Sequence, residues 1–132
     1  MKAKLFACGT LPYSVAAEVR LLGSDLLVIL SGGDKPHMGS VAVALPRPSL
    51  QDDRVMSSTS SVYNFLGHKD QVIAQRVAEV LSSGLNRHVV VVAGFHVDRI
   101  SEKGIEKVIK NCDRLAREIC KAIEKKGIDV TS

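Results

Sequence analysis

The sequence predicts an α+β domain: an antiparallel β-sheet covered by helices, with elements in the order ββββ(β)αβα. Three observations lead there. Tyr13, Val15, Ala17, Val19 and Leu21 alternate with Ser14, Ala16, Glu18 and Arg20, the period of two of a strand with one wet face. Leu26-Leu27-Val28-Ile29-Leu30 and Val89-Val90-Val91-Val92 are short apolar runs of the kind found in buried strands. Helical stripes fall only after residue 67, so strands come first and helices cover them late. With 132 residues, 45% of them hydrophobic and 24% charged, the chain reads as one globular domain spanning 1–132 with a single core.

Taken in order, Lys2 to Cys8 forms a first short strand, closed by Gly9 and the Leu11-Pro12 break. The alternating strand from Tyr13 ends in Leu22-Gly23-Ser24-Asp25, a two-residue Gly-Ser turn that joins antiparallel neighbours. Leu26 to Leu30 follows as a strand buried on both faces, at the centre of the sheet. Ser31 to Ser40 then interrupts the apolar pattern. Three glycines free its backbone and leave room for a ligand, while Ser31, Asp34, Lys35, His37 and Ser40 supply functional groups. An irregular hairpin loop explains the composition equally well. Val41 to Leu45 is the next strand, and its small residues Ala42 and Ala44 leave space for a helix or a ligand.

Pro46-Arg47-Pro48 stops that strand. Ser49 to Ser61 reads as a mobile loop or a loop ordered by a ligand, and Ser61 to Leu66 as a short further strand. Gly67-His68-Lys69-Asp70 opens a helix with Val72, Ile73, Val77, Val80 and Leu81 on one stripe, stopped at Gly84. Arg87 to Ala93 is a second buried strand. Ser101 caps a last helix whose face carries Ile105, Val108, Ile109, Cys112, Leu115, Ala116, Ile119, Cys120 and Ile123, and which ends at Gly127. The apolar strands need cover on their second face, which a homodimer formed through the sheet or the helices would supply.

Composition excludes several classes. Aromatics are 4% and Trp is absent, so stacking platforms for nucleic acid are scarce, and a net charge of +4 only favours an anionic ligand. Cys8, Cys112 and Cys120 include no C-x-x-C pair and read as buried, reduced thiols. No signal sequence or membrane span is expected, and the expected location is cytoplasmic. Phosphate-binding G-x-x-x-x-G-K-[ST] and G-x-G-x-x-G motifs and the G-x-S-x-G nucleophile elbow are missing. Gly32-Gly33, the Ser57–Ser61 hydroxyls and the helix start near His68 and Lys69 still suit a phosphate. Asp34 and His37, with His68, are of the right types for a divalent metal, though nothing in their spacing brings His68 close. His88 and His96 read as structural or surface residues.

The block Gly32-Gly33-Asp34-Lys35-Pro36-His37-Met38-Gly39-Ser40-Val41-Ala42-Val43-Ala44, with the later Thr59-Ser60-Ser61 and Gly67-His68-Lys69, resembles the small LpdD-like family over Leu26 to Ile123. Those proteins accompany UbiD-type decarboxylases and also go by the name of a gallate decarboxylase component. The resemblance implies a non-catalytic chaperone that binds reduced prenylated flavin mononucleotide (prenylated FMN) and assists activation of a UbiD-like decarboxylase. It also implies a fold similar to that of proteasome-assembly chaperones, which dimerise. On that reading Gly32, Gly33, Asp34, His37, Gly39 and Ser40 form one wall of the cofactor site. Thr59, Ser60, His68 and Lys69 form its phosphate side, and Ala42 and Ala44 part of an apolar wall. The alternatives are an assembly module that holds a partner chain without a small ligand, and a small metal-dependent enzyme.

Overall fold

Five successive segments form the strands β1 (Lys4–Cys8), β2 (Val15–Leu22), β3 (Asp25–Gly33), β4 (Ser40–Pro48) and β5 (Met56–Asn64), with the apolar period of two clearest in β2. Helix α1 (Gln71–Leu85), strand β6 (Val89–His96) and helix α2 (Glu102–Lys126) complete the chain. A computed structural model describes residues 3–35, 37–65 and 70–126. The six strands form one sheet in the order β1-β2-β3-β6-β4-β5, with the element order expected from the sequence.

The sheet is mixed rather than wholly antiparallel. β6 lies parallel to β3 and antiparallel to β4, so it separates two strands that are consecutive in the chain. Helix α1 is the cause: it carries the chain from the end of β5 back to the start of the sheet, and the next strand must run parallel to β5. Register places Leu30 opposite Ala93 and Ser40 opposite the same Ala93 on its other side. The segment between β3 and β4 therefore passes over the end of β6.

One face of the sheet carries the core. Val15, Ala17, Val19, Val28, Leu30, Ala42, Ala44, Val89 and Val91 point under the helices and are at most 5% exposed. Helix α1 packs on β4, β5 and β6, and α2 on β1 and β2. Ala42 and Ala44 are sealed under α1, so the space they leave is taken by the helix and not by a ligand. Leu81, Leu115, Ile119 and Ile123 fill the helix side, each buried Leu or Ile contributing about 1.5–3 kcal/mol. Arg76 donates two hydrogen bonds to Asp113, at 3.1 and 2.7 Å, tying α1 to α2.

Several local expectations shift. Ile29 and Val43 are each 40% exposed, so the central strands are covered on one face only within the chain. Met56 to Ser60 belongs to β5, which pairs with β4 from Pro48↔Met56 to Ser40↔Asn64. Serines on both faces hide the period of two there. In α1 the buried residues are Ile73, Ala74, Val77, Ala78, Leu81 and Ser82, whereas Val72 and Val80 are outside the stripe. That helix stops not at Gly84 but at Asn86, whose left-handed backbone (φ 54°) ends it. Ser101 caps α2 as its sequence suggests, its Oγ accepting from Gly104 N–H at 3.0 Å. The helix end expected at Gly127 lies outside the described residues.

All three cysteines are unpaired. Burial pushes the Cys112 thiol up to about 12 and that of Cys120 to about 11, both above 9.0. Two consequences follow for the folded chain. At pH 8 these two thiols are expected to react with an aromatic disulfide reagent at least tenfold more slowly than in urea. Their neutral burial supports the fold fully below pH 9 and loses that contribution as pH rises from about 9 toward 12, because the unfolded chain releases those protons first. Thermal melts between pH 7 and 11 read out the loss.

Candidate functional site

The glycine-rich connection is anchored by backbone before any side chain acts. Asp34 N–H donates to the His96 carbonyl at 2.9 Å and Gly39 N–H to that of Ala93 at 2.8 Å, so both ends are pinned to β6. Gly33 (φ +78°) lies directly against the His96 backbone, where a Cβ has no room. A side chain on Gly32 would meet the Ser14 carbonyl and the Phe95 ring, and one on Gly39 the Asp70 carboxylate. The room these glycines leave is thus filled by protein. Their presence is explained by close approach of backbone, which the sequence does not distinguish from a ligand cradle.

Asp70 organises the surroundings. It sits at the N-cap of α1 but makes no capping bond, and it is 4% exposed. Its Oδ1 accepts from Phe95 N–H at 2.8 Å, and its Oδ2 lies 3.2 Å from His37 Nε2. His37 Nδ1 donates to the Lys35 carbonyl at 2.9 Å. The His37 ring stands edge-on to His96, with centroids 6.4 Å apart. His96 Nε2 is 2.7 Å from Asp98 Oδ1, and that hydrogen bond, with the nearby Lys35 charge, holds the Asp98 carboxyl below the usual carboxylate range. Ser40 is fully buried, and its Oγ has no hydrogen-bond partner among the described residues.

A cleft of about 630 Å³ opens beside this cluster, between the first turn of α1, the end of β6 and the first turns of α2. Its walls are apolar: Val72, Phe95, Ile100, Ile105 and Ile109 supply much of the surface. Asp70, His96 and Arg99 are its charged or titratable lining. Arg99 has φ +55°, a left-handed backbone uncommon for a residue with a side chain.

The site residues expected from sequence divide into three groups. Gly32, Gly33, Asp34, His37, Gly39 and Ser40 are brought together, but as the layer behind the cleft; none of the six lines it. Thr59 and Ser60 are set apart. They face Leu45 and Ala44, four to five residues along β4 from Ser40, roughly 13–17 Å at ~3.3 Å per residue. There Thr59 accepts from Arg47 Nε at 2.6 Å, and Ser60 donates to Glu79 at 2.6 Å. His68 and Lys69 lie outside the described residues. No group of three or more His, Cys, Asp or Glu is placed to hold a metal ion among the described residues. None of Asp70, Phe95 and Arg99 is singled out by sequence as a site residue, and His96 is taken there as a structural or surface residue. The signal available was Phe95-His96-Val97-Asp98 directly after a buried strand, a usual place for functional groups.

The six-stranded mixed sheet with two helices on one face defines an α+β domain. One chain of the solved chaperone complex for yeast 20S proteasome assembly superposes with a TM-score of 0.56, covering 94% of this chain and 95% of that one at 11% identity. Residues 9–124 match the family described as the prenylated flavin chaperone LpdD-like domain, and the chain belongs to that family. It is 29% identical over 107 residues to Protein LpdD of Lactiplantibacillus plantarum (strain ATCC BAA-793 / NCIMB 8826 / WCFS1), covering 81% of this chain and 75% of that protein. The resemblance read from the glycine-rich block is borne out.

The Asp70–Gly39 contact makes a measurable pair. Asp70→Ala leaves the Phe95 N–H without an acceptor and costs about 2–3 kcal/mol. Gly39→Ala drives a methyl into the carboxylate and costs a similar amount, about 1–3 kcal/mol. In the double variant the clash has no carboxylate to meet, so urea unfolding gives a total loss below the sum of the single losses.

Proposed function

We propose that this protein is a carrier for reduced prenylated FMN that assists maturation of a UbiD-like decarboxylase, and that it has no catalytic step of its own. Membership of a chaperone family over residues 9–124 is the observation that supports this most. The residues present fit such a cofactor in part. A flat tricyclic ring needs an apolar cleft, and volumes of ~300–1,000 Å³ are usual for small-molecule sites; the cleft beside Asp70 has about 630 Å³. Flavin chemistry would belong to the bound group, while the chain's own residues bind and shield it. Gly32, Gly33, Asp34, His37, Gly39 and Ser40 are proposed to act by holding Asp70, Phe95 and His96 in place. His68 and Lys69, which directly precede Asp70 in the chain, stay in the proposed site for the phosphate end; Thr59 and Ser60 are too remote to join it.

A second proposal concerns the open face of the sheet. Register puts Ile29, Val92, Val41 and Tyr63 in one row, with Leu27, Val90 and Val43 in the next. Tyr63 is 68% exposed and Leu45 48%. A second copy of this chain stacked on that face would bury these side chains and give a homodimer. No helix of the described residues is long and apolar enough to cross a membrane.

Anaerobic titration with reduced prenylated FMN gives saturable binding at or below tens of micromolar, and co-expression raises the activity of a UbiD-like decarboxylase; absence of binding in that range overturns the carrier reading. Sedimentation is expected to show a dimer that Val43→Glu converts to a monomer with little change in helix content; a wild-type monomer overturns the dimer proposal.

A further inference from the structure

We propose that the cleft between α1, α2 and the end of β6 binds a flat, apolar heteroaromatic group that carries an anionic substituent, with Arg99 taking the anion. The inference deepens the carrier reading and rests on it for the identity of the natural ligand, but the chemistry of the cleft is argued from its own residues.

The walls come first. Val72 is 45% exposed although it is an aliphatic residue in the first turn of α1. Ile100, Ile105, Ile109 and Phe95 are only partly buried, and all five border the same cleft. Apolar surface left open in a concavity of about 630 Å³ is the common form of a small-molecule site.

Charge selects among ligands. Asp70 borders the cleft, but its oxygens are directed to Phe95 N–H and His37, so its negative charge is answered from within the chain. The His96 ring is held by Asp98. Arg99 also borders the cleft, and makes no hydrogen bond or ion pair among the described residues. Its left-handed backbone is a local cost of the kind found at functional positions. A guanidinium with free donors at the edge of an apolar cleft is suited to a phosphate or sulfonate, which its planar fork can meet with two bonds. The glycine-rich loop is assigned the supporting role: it fixes Asp70, and Asp70 fixes the Phe95 end of β6.

Fluorescence titrations with FMN, riboflavin and anilinonaphthalene sulfonate test the assignment. The cleft-filling variants Val72→Trp and Ile105→Trp, each at a partly exposed position, are run beside Arg99→Gln, with thermal melts as the folding control. The wild-type protein is expected to bind FMN and the sulfonate probe, and either cleft-filling variant to weaken both at least tenfold. Arg99→Gln is expected to weaken FMN about tenfold and to leave riboflavin within twofold. If Val72→Trp and Ile105→Trp bind reduced prenylated FMN as the wild type does, the cleft assignment is overturned while the carrier reading stands. Should the wild type bind the sulfonate probe in a cleft-dependent way but no flavin, the carrier reading falls and the cleft remains. Binding of none of the probes overturns the cleft, and equal effects of Arg99→Gln on FMN and riboflavin remove Arg99 from the anion site.

Discussion

A single buried carboxylate holds three parts of this molecule in register. Asp70 joins the start of α1 to the backbone of β6 through Phe95 and to the β3–β4 connection through His37. A carboxylate 4% exposed is costly unless its oxygens are hydrogen-bonded, and here each oxygen has a partner. Its place at a helix N-terminus adds favourable electrostatics even without a capping bond. The glycine at position 39 is needed because that same carboxylate occupies the space a Cβ would take. The connection, the helix and the strand end are thereby one unit, and the cleft is the concavity on its outer side.

Much of the architecture was legible in the chain because it is written locally. The β2 alternation, the Gly23-Ser24 turn and the α2 stripe with its Ser101 cap each depend on a few neighbouring residues. β5 was only half legible: Ser57, Ser58 and Ser60 lie in an edge strand where neither face is apolar, so no period stands out. The slot of β6 between β3 and β4 was not legible at all, since periodicity carries no information about which strands are neighbours.

The candidate site divides along the same line. The glycine-rich block was visible as an unusual composition and it carries the family resemblance, which the match over residues 9–124 supports. In the fold its glycines admit the His96 backbone, the Phe95 ring and the Asp70 carboxylate, close approaches that composition does not distinguish from a ligand cradle. The cleft itself draws on residues from Asp70 to Ile109 in three separate elements. Ile105 and Ile109 look like ordinary core on a helical wheel, and only the packing shows that the core leaves them partly uncovered.

The late arrival of β6 also bears on how the chain is made. During synthesis β1, β2 and β3 can pair, and β4 can pair with β5, but these two pieces are not neighbours in the sheet. Until residues 89–96 leave the ribosome, β3 and β4 each present a bare edge, the arrangement most prone to pairing with another chain. Closing the sheet joins segments far apart in the chain, as in β3 with β6. Between the completion of β5 and the arrival of β6, a protein of a chaperone family is therefore itself two open-edged fragments awaiting one central strand.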